Sequence, residues 1–322
     1  MTTACYAAWI RDADVLRRST SGGLFTALAR RTLARGGLVV GAAYGDGLRV
    51  AHRVAATEAE LDALRGVKYA QGAVSREIVE AVRTALGQSR DVLFSGLPCQ
   101  CAALRRLFGT DAHLLLVDLI CFGAPPSALW EKYVAWMEAT RGKRLCAISP
   151  RDKANGWGRR TFYRYDWADG TTTRRLSTYD PYAILFYTTL GFRPCCFRCP
   201  FRGLDRPSDI TLGDGWGLGH LNPGRGVSAV LVHSPRGQAA FAEIRDAIVC
   251  HAVTAAELVR ENPALVRSPD EPAAAAAFRA DAARLPFAAL VRAYRLQRTP
   301  LTVWARRLRT RLGSLLRKAV GR

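Results

Sequence analysis

Two apolar runs, VLFSG (92–96) and LLLVDLIC (114–121), constrain the fold of this 322-residue chain more than any other feature. Each has the length of a strand, and each is followed by a glycine- or proline-bearing break. Segments apolar on both faces suit a sheet that is covered on both sides. Pro98 then falls at the first position of a helix running through Leu107, and PPSALWEKYVAWMEAT (125–140) reads as the next helix. The same alternation extends upstream. LFTALARRTLAR (24–35) is an amphipathic helix stopped by Gly36-Gly37, LVVGAAY (38–44) a strand and LRVAHRVA (48–55) its neighbour. Thr57 and Glu60 form a capping-box pattern ahead of Leu61 and Leu64, and residues 75–86 read as another helix. The expectation is an α/β (α+β) fold, a mixed sheet core flanked by helices.

Near residue 145 the pattern changes. TFYRYDWADGTTTRRL (161–176) alternates around Asp169-Gly170 and predicts a hairpin. A helix is expected across 180–190, then a cysteine-rich loop (193–206), strands at 209–214 and 227–234, and a helix at 235–249. ENPALVRSPDEP (261–272) reads as a proline-bearing linker, followed by an alanine run at 273–277. The organisation expected is an N-terminal α/β part (1–145), a second part of the same unit carrying the loop (146–260), and a linker with a helical tail (261–322). In that tail Leu301, Trp304, Leu308, Leu312, Leu315 and Val320 follow helical spacing. Residues 292–322 hold nine arginines and one lysine with no acid, half of the net +20. Such a helix suits either an anionic membrane surface or docking on the protein body.

No stretch reaches the length of a membrane span, and the N-terminus lacks a basic start before an apolar core. A cytoplasmic location is expected, peripheral at the inner face of the membrane if the tail binds lipid. In a reducing compartment nine cysteines are not a disulfide framework. Cys5, Cys146 and Cys250 stand alone and read as small buried apolar residues. FRPCCFRCPFRGLDR (192–206) differs: Cys196 and Cys199 have CxxC spacing, which turns both thiols toward one centre with backbone N–H groups pointing at the sulfurs. Cys99 and Cys121 lie just past the strands 92–96 and 114–121, where the carboxyl ends of neighbouring strands share a crevice. The four thiols can therefore converge, with Cys101 and Cys195 as spare neighbours. Zinc, a redox disulfide and an iron–sulfur cluster all use such a set, and Arg193, Arg198, Arg202 and Arg206 suit any anionic centre. Ser21-Gly22-Gly23 at a helix start is a weak phosphate-binding pattern. HExxH, GxSxG, GxGxxG and GK[ST] are absent from the sequence.

The segments SGGLFTALA (21–29), RGVKYAQG (65–72), VLFSGLPCQ (92–100), LLLVDLICFGAPPS (114–127), RDKANGWG (151–158) and RPCCFRCPFRGLDRPSDITLGDGWG (193–217) occur in an order that resembles the coenzyme F420 hydrogenase/dehydrogenase beta-subunit family. Its relatives include 7-hydroxymethyl chlorophyll a reductase and proteins of polysaccharide gene clusters, and the resemblance to the latter branch is strongest. The resemblance implies FAD and a 4Fe-4S cluster, with coenzyme F420 as a co-substrate and ferredoxin or a deazaflavin as electron donor. It implies Cys99, Cys121, Cys196 and Cys199 as cluster ligands. It places flavin contacts at Ser21, Gly22 and Gly23, at Lys68, Tyr69 and Gln71, and at Ser95, Gly96 and Pro98, with Asp214 and Trp216 closing the site.

Three departures stand out. Only Cys5 precedes Ser21, so the ferredoxin-like CxxCxxC segment of many relatives is missing and electrons are expected through a separate carrier. Phe122 occupies the family's usual histidine position, removing a proton donor. Gly215 replaces the phenylalanine of DFWG, which is expected to loosen that turn. The resulting expectation is an iron–sulfur flavoprotein oxidoreductase, serving a reducible substrate such as one in polysaccharide biosynthesis. The alternatives are a non-catalytic electron-transfer or scaffold subunit and a zinc-stabilised binding protein. No known nucleic-acid motif is present, and no nucleic-acid partner is expected.

Overall fold

The computed structural model describes residues 3–298. In that region the strands are β1 (Ala4–Ile10), β2 (Leu38–Tyr44), β3 (Val50–Ala55), β4 (Val92–Gly96), β5 (Leu114–Leu119), β6 (Leu145–Asp152), β7 (Phe162–Trp167), β8 (Thr172–Leu176), β9 (Ile210–Asp214), β10 (Ser228–Val232) and β11 (Ile248–Ala252). Eight of them form one sheet in the order β11-β1-β10-β9-β5-β4-β2-β3, and β6-β7-β8 form a second. The centre of the large sheet, β2-β4-β5-β9, is parallel. Antiparallel strands extend it on both sides. All residues of β4 are buried, and in β5 only the last, Leu119, is exposed. That burial explains their uninterrupted apolar sequence. The α/β fold with a mixed sheet flanked by helices is what the alternation predicts.

Helix Pro98–Phe108 begins on Pro98, and helix Glu58–Leu64 opens on the Thr57/Glu60 capping box. On one face of the sheet Leu24, Ala27 and Leu28 of helix Leu24–Ala34 pack against β2, β4, β5 and β9. On the other, Ile78, Val82, Cys101 and Leu104 pack against Val40, Phe94 and Leu116. In the small sheet β7 alternates as its sequence does. Tyr163, Tyr165 and Trp167 point into a core shared with Trp130, Tyr133 and Tyr182. Asp180 is fully buried there as the cap of helix Pro181–Tyr187, with its oxygens accepting from the Ala183 N–H and the Tyr133 and Tyr165 hydroxyls. Both carboxylate oxygens, which would be costly to desolvate alone, thus have partners.

Three strands escaped the sequence pattern. β1 is alanine-rich yet lies inside the sheet between β10 and β11. The helix expected over 235–249 ends at Glu243, because Ile248–Ala252 instead pairs with β1 as an edge strand. β6 contains Pro150, which sits in a register shift between Ser149 and Asp152, the kind of position where a strand tolerates proline. Beyond the expected linker, Phe278, Phe287 and Leu290 are buried in the same core as Tyr133 and Tyr182. The amphipathic tail from Leu301 lies outside the described residues. Among those described, no helix is long and apolar enough to cross a membrane.

Candidate functional site

The carboxyl ends of β2, β4, β5 and β9 open onto one cavity of about 290 Å³. Its floor is Gly41 and Ala42 of β2, Ser95 and Gly96 of β4, Leu119 at the tip of β5, and Leu212 to Asp214 of β9. This is the crevice in which open α/β sheets bind ligands. Of the residues expected to touch a flavin, Ser21, Gly23, Lys68, Tyr69, Ser95, Gly96 and Asp214 line it. Gly22, Gln71, Pro98 and Trp216 do not, and their jobs are visible. The Gly22 N–H donates to Ser228 Oγ, and a side chain there would meet the Ser228 nitrogen at 2.7 Å. Gln71 donates its backbone N–H to the Pro125 carbonyl, Pro98 starts its helix, and Trp216 stacks on Trp157 with centroids 5.0 Å apart.

The turn 21–23 is held from outside the cavity. Ser21 Oγ donates to the Val227 carbonyl, and the Lys153 ammonium donates to the carbonyls of Leu16, Ser21 and Arg225. Gly23 is left-handed (φ 80°) and caps helix Leu24–Ala34 without a side-chain bond. The first-turn residues Leu24 and Phe25 line the cavity next to it. On the opposite wall the Lys68 ammonium donates to the carbonyls of Ala63, Leu64 and Arg65 at the end of helix Glu58–Leu64. Burial pushes Lys68 down to about 7, and Lys153 likewise, the latter helped by the nearby Arg151 charge. Three carbonyl acceptors per ammonium favour the charged form, so both lysines are poised between two opposing effects.

Arg151 is the cavity residue that sequence reading missed. The β6 bulge brings its guanidinium to Asp214 in a bidentate pair (2.8 and 3.2 Å) and lays it over the Trp216 ring at 5.1 Å. Burial works against its charge, but Asp214 and Tyr69 together outweigh burial and hold the group above the usual arginine range. His52 was also unassigned. It stacks on Phe94 and contacts the Ala73 and Ser95 carbonyls, and burial lowers its basicity. The Gly215 turn is not loose: its N–H donates to Val227 O at 2.7 Å, and a Cβ would strike Val227 Cγ1 at 2.8 Å. Glycine is there because β10 comes so close.

Cys99 and Cys121 follow the cavity residues Gly96-Leu97 and Leu119-Ile120 by one or two positions in the chain. The loop carrying Cys196 and Cys199 meets them. Burial raises the Cys99 thiol, Arg193 opposes this, and Cys199 and Cys196 raise it further. Burial pushes Cys121 up to about 12, with Arg202 opposing and Cys196 and Cys99 adding to it. Cys99 therefore lies within electrostatic range of Cys196 and Cys199, and Cys121 within range of Cys196 and Cys99. Even so, among the described residues no three His, Cys, Asp or Glu side chains close around one point as a bound metal ion needs.

The spare thiols separate. Cys101 is two positions from Cys99, on the other side of the helix, and donates toward the Val117 carbonyl in the core. Cys195 is exposed beside Cys196. Cys146 is exposed too, rather than buried. Two of the four arginines are spent on the scaffold: Arg202 donates to the carbonyls of Cys121, Phe122 and Ala264, and Arg206 pairs with the buried Asp118. The CxxC backbone also departs from expectation. The Cys196 N–H goes to the Arg193 carbonyl and the Cys199 N–H to Ser268 Oγ.

Between cavity and cysteines stands an aromatic wall. Tyr69 lines the cavity and packs on Phe186 (4.3 Å), which with Phe192, Phe197, Phe122 and Cys196 forms one apolar cluster. A second hollow, of about 500 Å³, lies around Arg105, Asp209 and His233 at the other end of β9, bounded by the end of the cysteine-rich loop at Leu204 to Arg206.

The family described as the C terminus of the coenzyme F420 hydrogenase/dehydrogenase beta subunit matches residues 89–257, and the corresponding N-terminal family matches residues 5–78. A solved structure of the F420-reducing [NiFe] hydrogenase complex from Methanosarcina barkeri contains a chain of similar fold. The TM-score is 0.53 at 17% identity, covering 81% of this chain and 89% of that one. No curated protein in the comparison matches the chain.

Proposed function

The chain belongs to the coenzyme F420 hydrogenase/dehydrogenase beta-subunit family, and we propose that it is an iron–sulfur flavoprotein that passes electrons between a carrier and a reducible substrate. The observation that carries this reading is the shared wall: the strand-end loops that floor the cavity continue, within one or two residues, into Cys99 and Cys121. When bound, FAD would supply two-electron hydride chemistry, and a 4Fe-4S cluster the one-electron steps.

The residues present fit both groups. The cavity offers an apolar floor, the uncapped start of helix Leu24–Ala34, and the polar edge of Lys68, Arg151 and Asp214. The cysteine site offers sulfur alone, with Cys196 packed among phenylalanine rings and Cys99, Cys121 and Cys199 half-buried. A single zinc with bonds of about 2.3 Å would draw its sulfurs to within about 3.8 Å of one another. A cubane spreads its four thiolate ligands over four corners instead.

This chain's own residues have separable roles. Lys153 fixes the carbonyl of Ser21 and so the entry to helix Leu24–Ala34. Asp214 holds Arg151 in the cavity wall, where a cation can meet an anionic co-substrate such as a deazaflavin. Tyr69 and Phe186 stand as packed rings between the cavity and Cys196. The test is to reconstitute the chain anaerobically with FAD and iron sulfide, and likewise Cys196→Ser and Cys199→Ser. Both variants should keep flavin and lose most of their iron, and unchanged iron in both would refute the ligand assignment. A holoprotein that exchanges electrons with its carrier but turns over no substrate would be a relay subunit.

A further inference from the structure

In a CxxC loop the N–H groups of the residues after the first cysteine are the natural donors to its sulfur. Hydrogen bonds to sulfur stabilise the more negative, reduced state of a cluster and so raise its potential. Here the segment read from sequence as a linker crosses the loop and intercepts one of those donors. Arg202 donates to the Ala264 carbonyl, the Gly203 N–H donates to Leu265 O (2.9 Å), and the Cys199 N–H donates to Ser268 Oγ (3.2 Å). The Cys196 N–H is likewise occupied, by Arg193 O at 2.9 Å. Both cysteine N–H groups thus end on protein oxygen.

We propose that Ser268 is a positioning residue that sets the potential of the cysteine site, holding it low by withholding the Cys199 N–H from sulfur. The inference rests on the iron–sulfur reading given above. Ser268 is only part-buried, and its hydroxyl reaches 69 positions along the chain for this one bond. Nothing else in residues 263–268 needs a hydroxyl there. Leu265 anchors the segment in the core on its own, fully buried against Val227 and Leu258. Removing the hydroxyl therefore leaves the strap in place and frees a single donor.

The experiment is a dye-mediated redox titration of the reconstituted, full-length chain, followed by its visible absorption and electron paramagnetic resonance. Iron content is measured first: a wild-type chain that takes up no iron overturns the underlying reading, and this proposal with it. With iron bound, Ser268→Ala and Ser268→Val should both shift the midpoint potential upward, while Ser268→Thr, which keeps the acceptor, stays at the wild-type value. A potential unchanged or lowered in Ala and Val, at wild-type iron content, overturns the role of Ser268 and leaves the function standing. Loss of iron from Ala and Val but not Thr overturns it too, since the hydroxyl would then be a structural tie.

Discussion

Arg206→Met should be among the most damaging single changes outside the cavity. Arg206 and Asp118 are 1% and 0% exposed, with Nε and Oδ2 3.2 Å apart. Arg206 also donates to the carbonyls of Phe201 (2.7 Å) and Leu119 (2.9 Å), which hangs the loop after the CxxC from the end of β5. Asp118 also accepts from the Thr211 hydroxyl at 2.5 Å. Breaking one side of a buried pair costs about 3–5 kcal/mol, because the remaining charge stays desolvated. Against a typical stability of about 5–15 kcal/mol this is a large fraction. Urea denaturation at neutral pH should show the midpoint falling by about 1–2 M for an m value near 3 kcal/mol/M. Burial already pushes the Asp118 carboxyl up, opposed by Arg206 and Thr211. Without Arg206 that carboxyl takes up a proton in the fold before it does in the unfolded chain. The variant's deficit should therefore shrink as pH falls toward the ordinary aspartate range. Asp118→Leu combined with Arg206→Met should recover most of the loss, since it removes both charges. A single-variant cost below about 1 kcal/mol at neutral pH, or a double variant no better than the single, would refute the reasoning.

Three further outcomes are expected. Gly226 has φ 118°, and a Cβ on it would lie 2.6 Å from the Ser21 carbonyl and 2.7 Å from Lys153 Nζ. Gly226→Ala should cost about 1–3 kcal/mol in thermal or urea unfolding and weaken flavin retention; wild-type behaviour in both would contradict the close approach. Burial lowers His233 from 6.5 to about 4, so the fold holds it neutral while the unfolded chain binds the proton first. Its contribution is complete above about pH 6.5 and is lost as pH falls toward 4, at most about 3 kcal/mol and less because the ring is partly exposed. His233→Gln should flatten the stability–pH curve over that window, as read by urea midpoints at pH 4.5 and 7. Tyr69→Leu and Tyr69→Phe should both brighten the fluorescence of a flavin in the cavity by removing the oxidisable phenol from its wall; emission as dim as in the wild-type chain in both would contradict that place for Tyr69.

What the sequence revealed depended on how locally each feature is encoded. β4 and β5 were readable because strands covered on both faces need apolar residues throughout, and the cysteines beyond them inherit their place from the parallel topology. β1 was not, since Ala4, Ala7 and Ala8 carry no strand preference; its partners β10 and β11 come from the far end of the chain. β11 was absorbed into a helix because Ile248 and Val249 continue the apolar spacing of helix Pro235–Glu243. Of the cavity, the lining by Lys68, Tyr69 and Asp214 followed from family resemblance rather than from spacing, whereas Ser21 was also marked by its glycine-rich place at a helix start. Arg151 was hidden because a bulge, a backbone irregularity, decides where its side chain goes. Ser268 and the turn at Gly215 were hidden for a related reason: each depends on a distant backbone, Cys199 in one case and Val227 in the other.

The most direct test of the central claim is the colour and composition of the full-length chain purified without oxygen. Bound flavin with about four irons and four sulfides per chain, giving yellow-brown protein with a broad absorbance shoulder, is the predicted result. A colourless protein carrying a single zinc and no flavin would contradict it.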